Sequence, residues 1–199
     1  MRDGEPRPRA GDRAELILRG AEQLFFEHGY QNVSVDEIGK AAGVSGPALY
    51  RHFKGKSAIL EVLLEEVLTH LLMTTTGHRH DPWSDLRELS RDLFRYSMDN
   101  RRLIALYARE RRHLAPRERR RHTRREDRYM ARWDEVLERH YPRSSRFQRL
   151  TAARAAHSIL MTEALYGPDE KRARELEGLV VDMAMRSVAA LHGYADDER

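Results

Sequence analysis

Ser34-Val-Asp-Glu-Ile-Gly-Lys-Ala-Ala-Gly43-Val-Ser45-Gly-Pro-Ala-Leu-Tyr50-Arg-His-Phe-Lys-Gly-Lys56 is the stretch on which the fold turns. Ser34 followed three residues later by Glu37 makes a capping box, in which each side chain satisfies a backbone N–H of the other at a helix start. Ile38, Ala41 and Ala42 supply the apolar side of that helix, and Gly43 is the residue free to take the left-handed conformation that closes it. Ser45 then opens a second short helix, with Pro47 tolerated in its first turn. Leu49 and Phe53, four apart, face inward, while Tyr50 and His52 point elsewhere. Two short helices joined by a tight turn are helix-turn-helix grammar, in which the second helix enters the DNA major groove.

The same residues resemble the tetracycline-repressor (TetR) family of bacterial regulators. The matched positions are Ser34, Ile38-Gly39, Ala42-Gly43-Val44-Ser45, Leu49-Tyr50-Arg51-His52-Phe53 and Lys56, within a likeness covering roughly residues 13–72. Gly39 stands where the family usually has alanine, and Gly46-Pro47-Ala48 where many members carry a longer polar residue. The resemblance implies that Ser34, Ser45, Tyr50, His52 and Lys56 meet phosphates and that Gly46, Pro47 and Ala48 face the groove. Hydroxyls, an imidazole and an ammonium at helix starts suit phosphate, because phosphate contacts position a protein while base contacts specify the site. Capping and packing are the bland roles of the same serines and tyrosine. None of Gly46, Pro47 and Ala48 has a side-chain donor, so Arg51 is the nearest residue able to read guanine. Arg7, Arg9 and Arg13 offer either a minor-groove arm or an ordinary solvated tail.

Composition narrows the rest. The 199 residues suffice for one small DNA-binding domain and one larger companion. There is no cysteine, hence no disulfide framework, thiolate metal site or cysteine nucleophile. Residues 1–13 lack an apolar signal core and no run of 18 apolar residues occurs, so a soluble cytoplasmic protein is expected, with no membrane partner. Glycine-rich phosphate loops, Gly-x-Ser-x-Gly and His-Glu-x-x-His are absent, and the chain does not read as an enzyme. No cofactor is expected. His78, His80 and Asp81 are the one compact metal-type set, without thiolate support, and no metal site is expected there.

The apolar spacing predicts an all-α chain of about nine helices, arranged as a three-helix head and a larger helical body. Residues 1–11 read as a flexible basic arm, 12–56 as the helix-turn-helix domain, and 57–73 as a connecting helix; 74–193 form a ligand-binding and dimerisation domain, and 194–199 a tail. Asp12 with Glu15 is expected to cap the first helix and Gly29 to close it. Ser84, Asn100, Pro116 and Ser144 or Ser145 open the helices of the body, and a last helix runs from about Asp169 to Leu191. Ala152, Ala153, Ala155 and Ala156, with Leu179, Val180, Met183 and Val188, offer two stripes for a twofold dimer, although ordinary core is the alternative for both.

Two features of the body concern an effector. Phe94, Met98, Leu103, Leu106, Tyr107, Met130, Trp133, His157 and Met161 can line an apolar cavity between helices, or simply fill a core. Residues 101–154 carry 18 arginines against 7 acids, and Arg117–Arg128 contains no apolar side chain. With Arg111 and Arg112 beside the cavity, an arginine-rich mouth suits an amphiphile with phosphates, such as an acyl-coenzyme A. The competing account is a solvated basic helix. The expectation is a ligand-responsive regulator, a homodimer on a DNA operator released by a small lipophilic effector; the alternative is an effector-independent architectural DNA-binding protein.

Overall fold

The computed structural model describes residues 10–74, 81–167 and 170–194, which form ten α-helices and no strand. They are α1 (Ala10–His28), α2 (Val35–Ala41), α3 (Gly46–His52), α4 (Lys56–Thr74), α5 (Pro82–Asp99), α6 (Arg101–Glu110), α7 (Pro116–His140), α8 (Arg146–Tyr166), α9 (Glu170–Glu175) and α10 (Glu177–Ala189). The all-α expectation holds. Among the described residues no helix is long and apolar enough to cross a membrane.

Local chemistry sets most boundaries. The Ser34–Glu37 capping box is formed, and Ser145 makes a second with Gln148 at the start of α8. Gly29 and Gly43 follow α1 and α2 at φ +79° and +65°, a region that only glycine enters at no cost. Four sequence readings need correction. Helix α1 begins at Ala10, so Asp12 lies inside the first turn instead of capping it. Asp81, not Ser84, caps α5, accepting from the N–H groups of Trp83 and Ser84 while Pro82 fixes the first turn. Asn100 turns its amide back to the Tyr96 carbonyl instead of capping α6. The last helix is two, interrupted at Leu176. The histidines at 78 and 80 and the arm arginines at 7 and 9 lie outside the described residues.

One apolar core runs the length of the molecule. Ile17, Phe25, Ile38 and Leu49 close the head, α4 contributes Leu60, Leu64 and Val67, and Phe94, Trp133, Leu160 and Ala184 continue into the body. The alanine stripe of α8 belongs to this core: Ala152, Ala153 and Ala156 are buried, as are Val180 and Val188 of α10. Leu179 and Met183 stay outside, at 57% and 49% exposure.

The arginine run of α7 is not a freely solvated helix. Arg121 reaches Glu61 at 2.7 Å, Arg125 reaches Glu65 at 2.6 Å, and Arg125 also donates to the Thr69 hydroxyl. His122, buried between them, sits 3.2 Å from Glu65. The partner is therefore the acidic edge of α4, and α7 is tied along it by ion pairs. Arg117, Arg119, Arg120, Arg124 and Arg128 take the solvent side.

Candidate nucleic-acid interface and effector layer

On α3, Leu49 points inward with no exposed surface, and Ala48 is buried beside it. At 100° per residue the opposite stripe is Pro47, Tyr50 and Arg51, all exposed, with Tyr50 at 57%. Ala48, expected to face the groove, is 9% exposed and lines a small surface cleft with Ser45 and Arg51. Gly46 is half-buried at the start of α3, and His52 is half-buried at its end. The Ser45 side chain makes no cap bond, which leaves its hydroxyl unused at the helix start. Ser34 differs, because its hydroxyl donates to the Glu37 carboxylate at 2.7 Å and accepts from the Glu37 N–H. These hydrogen bonds hold the Glu37 carboxyl below the usual carboxylate range.

Arg13 of α1 joins this surface. It lines one small cleft with Gly43, Val44, Ser45 and Arg51, so two guanidiniums and a hydroxyl surround the turn between α2 and α3. Sequence reading placed Arg13 only at the edge of the arm, because the contact depends on how α1 crosses the turn. Lys40 and Lys54, exposed at the end of α2 and just after α3, add positive charge the sequence reading passed over.

Lys56 is the clearest departure. Its ammonium donates to the carbonyls of Tyr30, Gln31 and Val33 at 3.0, 3.1 and 3.0 Å, and lies 4.7 Å from the Tyr30 ring centroid. An ammonium has three N–H donors and all three are engaged. Lys56 therefore staples the start of α4 to the loop that leads into α2. Lys56→Ala strands three carbonyls and is expected to destabilise the chain by about 1.5–3 kcal/mol. A thermal melt checks this; an unchanged melt would return Lys56 to the list of free cations.

In the body, the residues expected to line a cavity occupy one layer. Phe94, Met98, Leu103, Leu106 and Trp133 are at most 4% exposed, and Met161 is buried with them. Tyr129 packs edge-on to both Trp133 and His157. Burial holds the His157 imidazole neutral, down to about 4. Met130 and Tyr107 are only partly buried. All of these side chains but His157 belong to the continuous apolar core or pack against it. A cleft of about 710 Å³ lies elsewhere, between α1, the α5–α6 corner and the end of α8, and takes only Met98 from the set. Arg111 and the Tyr107 hydroxyl both donate to Glu126, so Arg111 is neutralised in place. Arg112 is exposed.

Head and body meet through named contacts. Arg102 pairs with Glu22 at 3.5 Å, and Arg109 donates to the Phe26 carbonyl while lying over its ring. His113, bonded to the buried Glu110 at 2.9 Å, stacks on Tyr30, whose carbonyl Lys56 holds.

A capped helix-turn-helix head joined by one helix to a larger helical body defines a regulatory protein of the two-part type. Residues 17–63 match the family model of bacterial regulatory proteins of the tetR family, and residues 79–165 match a tetracyclin repressor-like C-terminal domain. The chain is 33% identical over 88 residues to the transposon Tn10 TetC protein of Escherichia coli, covering 43% of this chain and 45% of that protein. It is 35% identical over 82 residues to the HTH-type transcriptional regulator EthR of Mycobacterium tuberculosis, covering 41% and 38%. The chain thus spans less than half the length of these curated relatives. A solved structure, the TetR family transcriptional regulator PfmR of Thermus thermophilus, is 27% identical with a TM-score of 0.72, over 83% of this chain and 97% of that one. The chain belongs to the TetR family of bacterial regulatory proteins.

Proposed function

We propose that this protein is a cytoplasmic, DNA-binding transcriptional regulator that acts as a twofold dimer and represses until a small lipophilic effector releases it. The observation that carries the reading is the exposed Pro47, Tyr50 and Arg51 stripe of α3 beside the Arg13, Ser45 and Arg51 cleft. Residues 12–56 act as the reading head, 57–73 as the connection and 74–193 as the effector and dimer part. Tyr50, His52, Ser45 and the two arginines contact phosphates, Pro47 and Gly46 approach base edges, and Lys56 and Ser34 hold the head in shape. A single short helix makes too few contacts for a specific site, so two heads read half-sites about 34 Å apart. The exposed Leu179 and Met183 of α10, with Phe147 and Tyr166 of α8, form the surface on which two copies join.

The effector acts through the seams that hold the head. A ligand that favours a different setting of α6 or α7 shifts Arg102, Arg109 and the Arg121–Glu61 and Arg125–Glu65 pairs, and with them α1 and α4. Release follows only to the extent that the ligand binds the two settings with different affinity. An acyl-coenzyme A remains the specific effector proposed, its acyl chain opening the Phe94–Trp133 layer and its phosphates meeting Arg112 and the solvent-side arginines of α7. An architectural DNA binder is the contrasting class, with a steep salt dependence and little preference for sequence.

Substitution of the α3 stripe tests the assignment. Arg51→Ala is expected to lower the slope of log affinity against log salt by about 1 per head, and Tyr50→Phe to weaken operator binding several-fold, both without a change in melting temperature. Operator titrations at several salt concentrations measure this. Unchanged affinity in both variants would remove α3 from the interface.

A further inference from the structure

Between the connecting helix and α5 runs a groove of about 510 Å³ that the DNA-binding surface does not use. Its walls are Glu66 and His70 of α4 and Asp92, Arg95, Tyr96 and Asp99 of α5. His70 and Tyr96 lie flat on one another, with ring centroids 3.6 Å apart and planes 8° from parallel. That stack fixes the register of the two helices. Glu66 is one turn before His70, and Asp92 one turn before Tyr96, so each helix presents one carboxylate on its stacked face.

Charge in the groove does not balance. Arg95 forks onto Glu177 with both bonds at 2.9 Å, Asp99 pairs with Arg174 at 2.8 Å, and Arg102 pairs with Glu22. Glu66 and Asp92 are exposed and have no ion-pair partner among the described residues. His70 does not supply the missing charge: burial pushes its imidazole towards the neutral form, although Asp92 and Glu66 pull the other way. Tyr96, only 8% exposed, brings a hydroxyl that has no hydrogen-bond partner among the described residues. A buried hydroxyl without a partner is costly, and native structures rarely keep one without a purpose. Burial first, then the charges of Glu66 and Glu22, raise its phenol well above the ordinary tyrosine range, so it stays a neutral O–H with lone pairs to offer.

We infer that this groove is a binding site for an aliphatic diamine or polyamine, with one ammonium at Glu66 and the Tyr96 hydroxyl and a second at Asp92. The chemistry selects this class. Two separated carboxylates and a hydroxyl are acceptors for N–H groups, so the ligand must donate hydrogen bonds as well as carry charge. A quaternary ammonium has no N–H and needs an aromatic face, and His70 already covers that of Tyr96. The described residues hold no cluster of three His, Asp or Glu side chains able to ligate a metal ion. A ligand here bridges α4 to α5. Its effect on the head rests on the regulator reading above; its binding does not.

Isothermal titration of the full chain with putrescine and with spermidine, in the absence of DNA, tests the site. One diamine per protomer is expected, weakened about tenfold in each of Glu66→Gln and Asp92→Asn, and several-fold in Tyr96→Phe. Glu66 and Asp92 are exposed, so these variants keep the fold, and a far-ultraviolet spectrum verifies it. Tetramethylammonium is expected to give no heat. The proposal is overturned if putrescine gives no heat at millimolar concentration, if Glu66→Gln and Tyr96→Phe bind it as the parent does, or if tetramethylammonium or magnesium binds equally well.

Discussion

Arg149→Ala lowers the unfolding free energy by about 3–5 kcal/mol. Arg149 is 5% exposed on α8, and its guanidinium works in three directions. It donates to Asp134 at 2.7 Å, to Glu138 at 2.9 Å and to the Ser144 carbonyl at 2.5 Å. Asp134 is itself buried, and its other oxygen has only the exposed Arg146 at 3.2 Å. Removing the guanidinium leaves a carboxylate and a carbonyl inside the protein without their donor, which is the expensive way to break a buried pair. Arg149→Lys recovers only part of the loss, since a single ammonium cannot reproduce a planar fork. Urea melts at fixed protein concentration measure both, the concentration being held because the proposed dimer would contribute to stability. A loss below about 1 kcal/mol for Arg149→Ala would mean that the α7–α8 corner does not depend on this network.

The second large effect separates the copies. Leu179→Asp combined with Met183→Asp is expected to give a folded monomer whose operator affinity falls by about 10²–10⁴, because the second head no longer binds as part of the same molecule. The two side chains are one turn apart on the exposed face of α10, with Leu176 at 41% exposure before them. Val181, Ala184, Met185 and Val188 hold the opposite face in the core and are untouched. Sedimentation velocity reads the mass and circular dichroism the fold. A variant that still sediments as a dimer would move the interface to another surface.

Much of the fold was legible because its signals are local. The Ser34–Glu37 box, Gly43, Pro116 and Ser145 each fix a boundary through atoms within a few residues, and the structure has them where the sequence put them. Asp81 was missed because Ser84, three residues on, is an equally good capping type, and Pro82 decides between them. The site was less legible because its partners are distant. Nothing around Lys56 announces the carbonyls of residues 30, 31 and 33, and nothing in the Arg117–Arg128 run points to Glu61 and Glu65, some 60 residues earlier. Apolar periodicity likewise finds Phe94, Leu106 and Trp133, but a packed core and a cavity lining produce the same period.

The most direct test of the central claim is fluorescence anisotropy of the purified protein on DNA from upstream of its own gene, against random DNA of equal length, at physiological salt. The account predicts at least about 10³-fold preference for the upstream site. Equal affinity for both, with a salt slope that accounts for all of the binding, would contradict it and leave a non-specific architectural binder.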